Sequence, residues 1–323
     1  MKGISFTLIM SFLLLILVEI VFLQRSLISY SFEEIGIKNK IFSLKNFYES
    51  IIEDAKNAMD IAGKRAISSA ISYVITNGVG MDDAKLAIEE LMVNGTLYGN
   101  PENLLEGSTL KDWRDKIEYV ASRNGYILKL KINSFEIRPF DSFNLEAVLN
   151  ISINLTDANK VARIERSTEI MKKISIENFE DPLYPLNTLG RLTSVIKKSP
   201  HLYSHFSIDQ LMEDLNNTYY HPSLNGASFL DRLEGVYFVQ EKYRSLAENV
   251  IGLESFVDKE KILSVGLPIQ EERSNLDYLY FSGATAPAFK ISGMPETFRL
   301  DNETTINNLT HLQLYNVTGK VIE

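Results

Sequence analysis

The chain has 323 residues, a formal charge of −9 from 33 Lys plus Arg against 42 Asp plus Glu, and no cysteine. The lack of thiols excludes a disulfide framework and a thiolate metal centre. No basic block with interleaved aromatics is present, which argues against a nucleic-acid partner. With 45% apolar residues the composition is that of an ordinary globular chain, long enough to bury one large core or two smaller ones.

The first element is Ile4–Leu23 (ISFTLIMSFLLLILVEIVFL), an apolar run without glycine or proline and with Glu19 as its one charge. Twenty such residues are the length an α-helix needs to cross the ~30 Å hydrocarbon layer, with every backbone group paired internally. A signal peptide has a shorter apolar run and a small-x-small cleavage site, for which Ser29-Tyr30-Ser31 is a poor match, so a retained anchor is expected. Glu19 lies close enough to the end of the run to reach the headgroup boundary.

Ser31-Phe32-Glu33-Glu34 has capping-box spacing and suggests a pause in the helix. Beyond it, Ile37, Ile41, Leu44, Tyr48, Ile51, Ala55, Ala58 and Ala62 alternate by four and three, forming an apolar seam over residues 37–62. Two readings stand: a stalk that self-associates through this seam, or a long helix packed against its own domain. Residues 66–75 are apolar on nearly every side, as in a buried helix that Asn77-Gly78 then ends. Met81–Val93 reads as a helix with Asp82 or Asp83 as N-cap and Asn94-Gly95 as its stop. Ser108–Ser122 reads as a third, with Leu110, Trp113, Ile117 and Val120 on one face, closed by Asn124-Gly125.

The period then changes to two. Tyr126, Leu128, Leu130 and Ile132 alternate with polar residues, and Phe143 to Leu155 alternates over thirteen residues with Val148 the only exception. A turn at Asp157-Ala158-Asn159 returns the chain through Val161–Ile176, giving a three-stranded antiparallel meander whose apolar face needs helices over it. Glu177–Gly190 reads as a loop, Ser207–Asn217 and Ser228–Leu233 as capped helices, Val236–Leu263 as mostly helical, and Leu276–Phe281 as a strand. The fold class expected is α+β: an N-terminal transmembrane helix, a long amphipathic helix, then an antiparallel sheet covered by helices. The domains expected are an anchor (1–23), a helical stalk (24–78), an α+β domain (79–180) and a second α+β lobe (181–323).

Positive charges flank both ends of the apolar run, Lys2 on one side and Arg25, Lys38 and Lys40 on the other, so they do not orient it. Seven Asn-x-Ser/Thr triplets, at Asn94, Asn150, Asn154, Asn216, Asn302, Asn308 and Asn316, favour a large domain outside the cytoplasm that could carry glycans. Asn150 and Asn154 fall on the polar face of the 143–155 strand.

Chemical motifs are sparse. His201, His205 and His221 lie close together, and the i, i+4 spacing of the first two is one that zinc sites use, with Asp209 or Glu213 as a third ligand. Leu202 stands where a metalloprotease helix has Glu, so surface or core histidines remain the default and no metal is assigned. Glu180, Asp181, Asp231, Glu234 and Asp277 could supply a glycosidase-like carboxylate pair, as any acidic chain of this size could. Neither a phosphate-binding glycine loop nor a G-x-S-x-G elbow occurs, so no catalytic residue and no cofactor is assigned.

The opening Lys2-Gly3-Ile4-Ser5-Phe6-Thr7-Leu8 leading into the apolar helix, together with ISIENFEDPLYPLN and SFLDRLEG, resembles archaeal membrane-anchored surface proteins, including pilin-like ones. Pilins carry Gly before the processed bond, which Gly3 matches, and a Glu five residues into the mature helix, where Leu8 stands instead. The resemblance implies a surface location and assembly, and supplies no catalytic residues. The expected function is a single-pass, membrane-anchored extracytoplasmic protein with a structural or interaction role at the cell surface. The alternative is an anchored extracytoplasmic enzyme or ligand sensor using residues 181–281.

Overall fold

The computed structural model describes the backbone of residues 2–322, and side chains throughout that range except for residues 2–9, 26–34 and 307. The chain is α+β with antiparallel strand pairs. It divides into two compact units: one of residues 1–54, 116–131 and 151–168, the other of residues 55–115, 132–150 and 169–323.

Helix α1 runs without interruption from Lys2 to Asn77, so the backbone makes no pause at Ser31, whose side chain lies outside the described residues. A capping box acts only where the preceding residue leaves helical geometry, and here it does not. Among the described residues no helix is long and apolar enough to cross a membrane; of the expected span Ile4–Leu23, the side chains of residues 4–9 lie outside them.

In the first unit, Leu44 and Ile51 of α1 are buried, Phe47 stacks on Tyr126 with ring centroids 4.7 Å apart, and Lys40 reaches Asp157 at 3.7 Å. Ile37 and Ile41 of the expected seam are exposed, as are Ile35 and Phe42. In the second unit Ala55, Met59, Ala62, Ala66 and Ala70 of α1 are buried, and so are Ile67, Ile71 and Val74. The buried line thus moves from Ala58 to Met59, because a straight helix turns every 3.6 residues and drifts from a 3.5-residue seam. Small side chains there permit close approach: a methyl built on Gly63 would lie 2.3 Å from Cδ1 of Ile174. The same drift exposes Val120 in α3 and buries Ala121 instead.

The three Asn-Gly stops all act as read. Gly78, Gly95 and Gly125 have φ of +65°, +72° and +78°. Helix α2 spans Ala84–Asn94, with Asp83 accepting from the Leu86 N–H. A two-residue ribbon, β1 (Thr96–Leu97) with β2 (Asn100–Pro101), precedes α3 (Leu110–Arg123). The meander follows as β3 (Tyr126–Asp141), β4 (Asn144–Asp157) and β5 (Arg163–Ser175), in that spatial order. Asp157 N–H donates to Ala162 O and Ile176 N–H to Phe143 O, which fixes the antiparallel β4–β5 register. Along β4 every second residue from Leu145 to Leu155 is buried, as the alternation requires. The opposite face is half-buried rather than open, and Glu146 on it is buried in an ion pair with Arg138 at 2.7 Å.

From residue 176 the sequence was a poorer guide. The 177–190 loop contains a short helix, α4 (Leu183–Asn187), nucleated by Pro182. Helix α5 (Ile208–Asn217) is capped as expected, through a capping box of Ser207 and Gln210, and α6 (Phe229–Leu233) is capped by Ser228. Between them lies β6 (Tyr220–Ser228), which Pro222 disguises because proline removes a ladder donor. The span 236–263 is only partly helical: α7 (Glu241–Arg244), β7 (Gly252–Ser255) and α8 (Lys259–Ser264). Strand β7 pairs with β6 at a distance only glycine permits, since a methyl on Gly252 would lie 2.0 Å from Gly226 O. Leu276–Phe281 is not a strand but helix α9 (Asp277–Ser282), ended by Gly283 at φ +78°. Residues 276–280 are all buried, so no alternation distinguished the two periods. The hairpin β8 (Ala288–Lys290) with β9 (Arg299–Asp301) and helix α10 (His311–Leu314) complete the chain.

Candidate functional site

The titratable residues of the C-terminal half converge on three linked buried clusters within the second unit. In the first, α6 places Arg232 wholly in the core. Its Nη1 donates to Asp181 Oδ2 at 2.5 Å and Asp277 Oδ2 at 2.8 Å, its Nη2 to Leu253 O at 2.6 Å. Tyr220 donates to Asp181, and Ser255 to Asp277, at 2.8 Å each. Burial raises the Asp277 carboxyl while the guanidinium pulls it back, and burial opposes the Arg232 charge less than the two carboxylates favour it.

The second cluster surrounds Asp214 of α5, which is fully buried. His221 Nε2 lies 2.5 Å from one carboxylate oxygen and His201 Nδ1 2.7 Å from the other, while Ser199 Oγ donates to both at 2.9 and 3.1 Å. The hydroxyl therefore donates to the carboxylate rather than to a histidine, the reverse of the order that activates a serine nucleophile. The third cluster holds His311, also buried. Its Nδ1 is 2.5 Å from Asp301 Oδ1 and its Nε2 3.6 Å from Glu254 Oε2. Tyr315 and Tyr203 donate to Glu254 Oε1 at 2.7 and 3.0 Å, and Ser274 to Asp301 Oδ2 at 2.7 Å. Burial disfavours the His311 charge, but the two carboxylates outweigh it and raise its pKa to about 10.

Of the histidines read from the sequence, His201 and His221 meet at Asp214, whereas His205 is exposed and contacts Tyr203 O at 3.1 Å. Residues 200–206 form no helix and Ser204 has φ +65°, so the i, i+4 spacing creates no common face. Asp209 is exposed in the first turn of α5, and Glu213 stands 3.6 Å from His201. Among the described residues no group of three or more His, Asp or Glu side chains is arranged to hold a metal ion.

The carboxylates are occupied as well. Asp231 accepts from Ser228 Oγ at 2.5 Å and Gln240 Nε2 at 3.0 Å. Glu234 accepts from Ala84 N–H and Lys242 and is in contact with the Tyr243 hydroxyl. Among the described residues, Glu180 Oε1 is buried without a donor, as is Glu254 Oε2 of the third cluster. Tyr278 and Tyr280 are core residues. His311, Asp301, Glu254 and Arg232 were not singled out by the sequence, because widely separated residues in loops and short elements leave no spacing to read. The clusters pin β6, β7, β9, α5, α6, α9 and α10 together.

None of the seven glycosylation triplets has a buried asparagine. Asn94, Asn216, Asn302, Asn308 and Asn316 are exposed, and Asn150 and Asn154 are half-buried. Asn150 Oδ1 accepts from Asn133 Nδ2 at 3.1 Å and Asn154 Oδ1 from Arg163 Nε at 3.1 Å. Compared with known proteins, the chain matches no family model, no curated protein and no solved structure.

Proposed function

We propose that this is a single-pass membrane protein whose large domain lies outside the cytoplasm and serves a structural or interaction role at the cell surface. The observation that carries the reading is the stretch Met10–Leu23 of α1, whose twelve large apolar side chains are 40–72% exposed and point to every side of the helix. At about 25 cal/mol per Å² of apolar area, leaving them in water is costly, and a surround of lipid removes that cost. The exposed asparagines of the sequons and the resemblance to archaeal surface proteins support the same placement. The full chain should stay with the membrane pellet through alkaline extraction, and a chain starting at residue 26 should be released. Protease added to intact cells should remove the large domain; its complete protection would reject the topology.

Pilus-like self-association is supported by a narrower feature. Leu44, Ile51, Ala55 and Ala62 are buried within the chain itself, while Ile35, Ile37, Ile41 and Phe42 are exposed on α1. The part of the seam open to a second copy is therefore 37–41, flanked by the exposed Ile35 and Phe42. Ile37→Cys and Ile41→Cys chains in membranes should crosslink to dimers or larger species on mild oxidation, and a purely monomeric outcome would remove assembly from the proposal.

A further inference from the structure

A cavity of about 380 Å³ in the second unit is walled by Leu189, Ile262, Leu267, Pro268, Tyr280 and Phe281, with Asn187, Thr188, Gln270 and Arg273 supplying polar groups. That size lies within the range of small-molecule sites, as does the combination of mainly apolar walls and a few placed polar atoms. The walls are fixed in position. Tyr280 and Phe281 meet edge to face at 5.5 Å, Phe281 meets Tyr184 likewise at 5.3 Å, and the Tyr280 hydroxyl accepts from the Gln270 N–H at 3.2 Å.

Arg273 is the one charged residue lining the cavity. Its Nη1 donates to Tyr280 O at 3.1 Å, and its backbone carbonyl accepts from the buried Lys259 ammonium at 2.7 Å. The guanidinium lies against Gly283, where a methyl would come within 3.4 Å of Nη2. Among the described residues no carboxylate pairs with it, so a planar array of donors is held over an apolar floor without a counter-charge. A second observation marks the rim. Leu189 has φ +54°, a left-handed conformation that favours glycine, and its side chain is 77% exposed. Strained, exposed apolar residues of this kind concentrate at ligand clamps.

We infer that this cavity binds a small carboxylate with an apolar or aromatic body, its carboxylate on Arg273 and its body against Tyr280, Phe281, Leu267 and Leu189. The neutral amide isostere would leave the guanidinium uncompensated, and a cation would be repelled. The site does not depend on where in the cell the chain resides.

The test uses the full chain in nanodiscs and three probes of one shape: 3-phenylpropionate, 3-phenylpropionamide and 3-phenylpropylamine. Saturation-transfer NMR should show saturable binding of the carboxylate, about tenfold weaker binding of the amide, and none of the amine. Arg273→Gln should remove the preference for the acid over the amide, and Arg273→Lys should retain part of it. Leu189→Gly, at an exposed position already in glycine's conformation, should fold and weaken all binding several-fold. Equal binding of acid and amide, a preference unchanged in Arg273→Gln, or no saturable binding of any probe would each overturn the inference; the Leu189→Gly result stands even if an Arg273 variant fails to fold.

Discussion

Replacing Arg232 by Met should cost at least about 3–5 kcal/mol, the usual penalty for leaving buried charge without its partner. Two carboxylates, those of Asp181 and Asp277, face one guanidinium that water does not reach. Methionine fills much of the volume but supplies no donor, leaving both carboxylates and Leu253 O unsatisfied. A domain of this size is usually stable by only about 5–15 kcal/mol, so the variant should be largely unfolded at physiological temperature. Urea unfolding followed through Trp113, the single tryptophan and a buried residue of the second unit, measures the loss. Uncompensated charge as the cause makes a further demand: adding Asp181→Asn and Asp277→Asn to Arg232→Met should recover about 2 kcal/mol or more, because the three sites are directly coupled. A triple variant no more stable than the single one would mean that lost packing, not charge, is the penalty.

That cluster marks where reading the sequence stops succeeding. Segments up to residue 176 are long and strongly periodic, and each Asn-Gly stop falls where a left-handed residue ends a helix, so α1 to α3 and the meander could be placed from pattern alone. The polar network has no such signature. Asp181, Arg232 and Asp277 are separated by about fifty residues each; Asp181 lies in a loop and the other two in helices of six residues or fewer, in a region where complete burial erases the alternation that separates strand from helix. The histidines failed for a related reason. Spacing of four means a shared face only on a helix, and Pro200 with the left-handed Ser204 keeps that segment out of one. The cavity beside Arg273 was likewise illegible, since it gathers residues from 187 to 281 that only the tertiary fold brings together.

The third cluster makes stability depend on pH with a sign that can be worked out. His311 has a folded-state pKa of about 10 against 6.5 unfolded, so the folded chain holds its proton more tightly. Its contribution is complete below pH 6.5 and is lost progressively as pH rises to about 10, in total on the order of 4–5 kcal/mol. Glu254 and Asp301 act in the opposite range. Burial opposes their charge, but hydrogen bonds and attraction from His311 hold both below their ordinary values, so their contribution is present above the usual carboxylate range and fades under acid. Together the three favour the folded state most between about pH 5 and 6.5. Lys259 works against this trend at higher pH. Burial lowers its pKa to about 7, so its effect becomes more favourable as pH rises from 7 towards 10.5. Wild type alone would mix the two, whereas subtracting a His311→Gln chain cancels every term except the one at this site. The wild-type advantage over that variant should be greatest near pH 6 and shrink by about 1.4 kcal/mol per pH unit between 7 and 9. An advantage that stays constant across that range would mean that His311 is neutral in the fold and that Asp301 and Glu254 carry their charges without it.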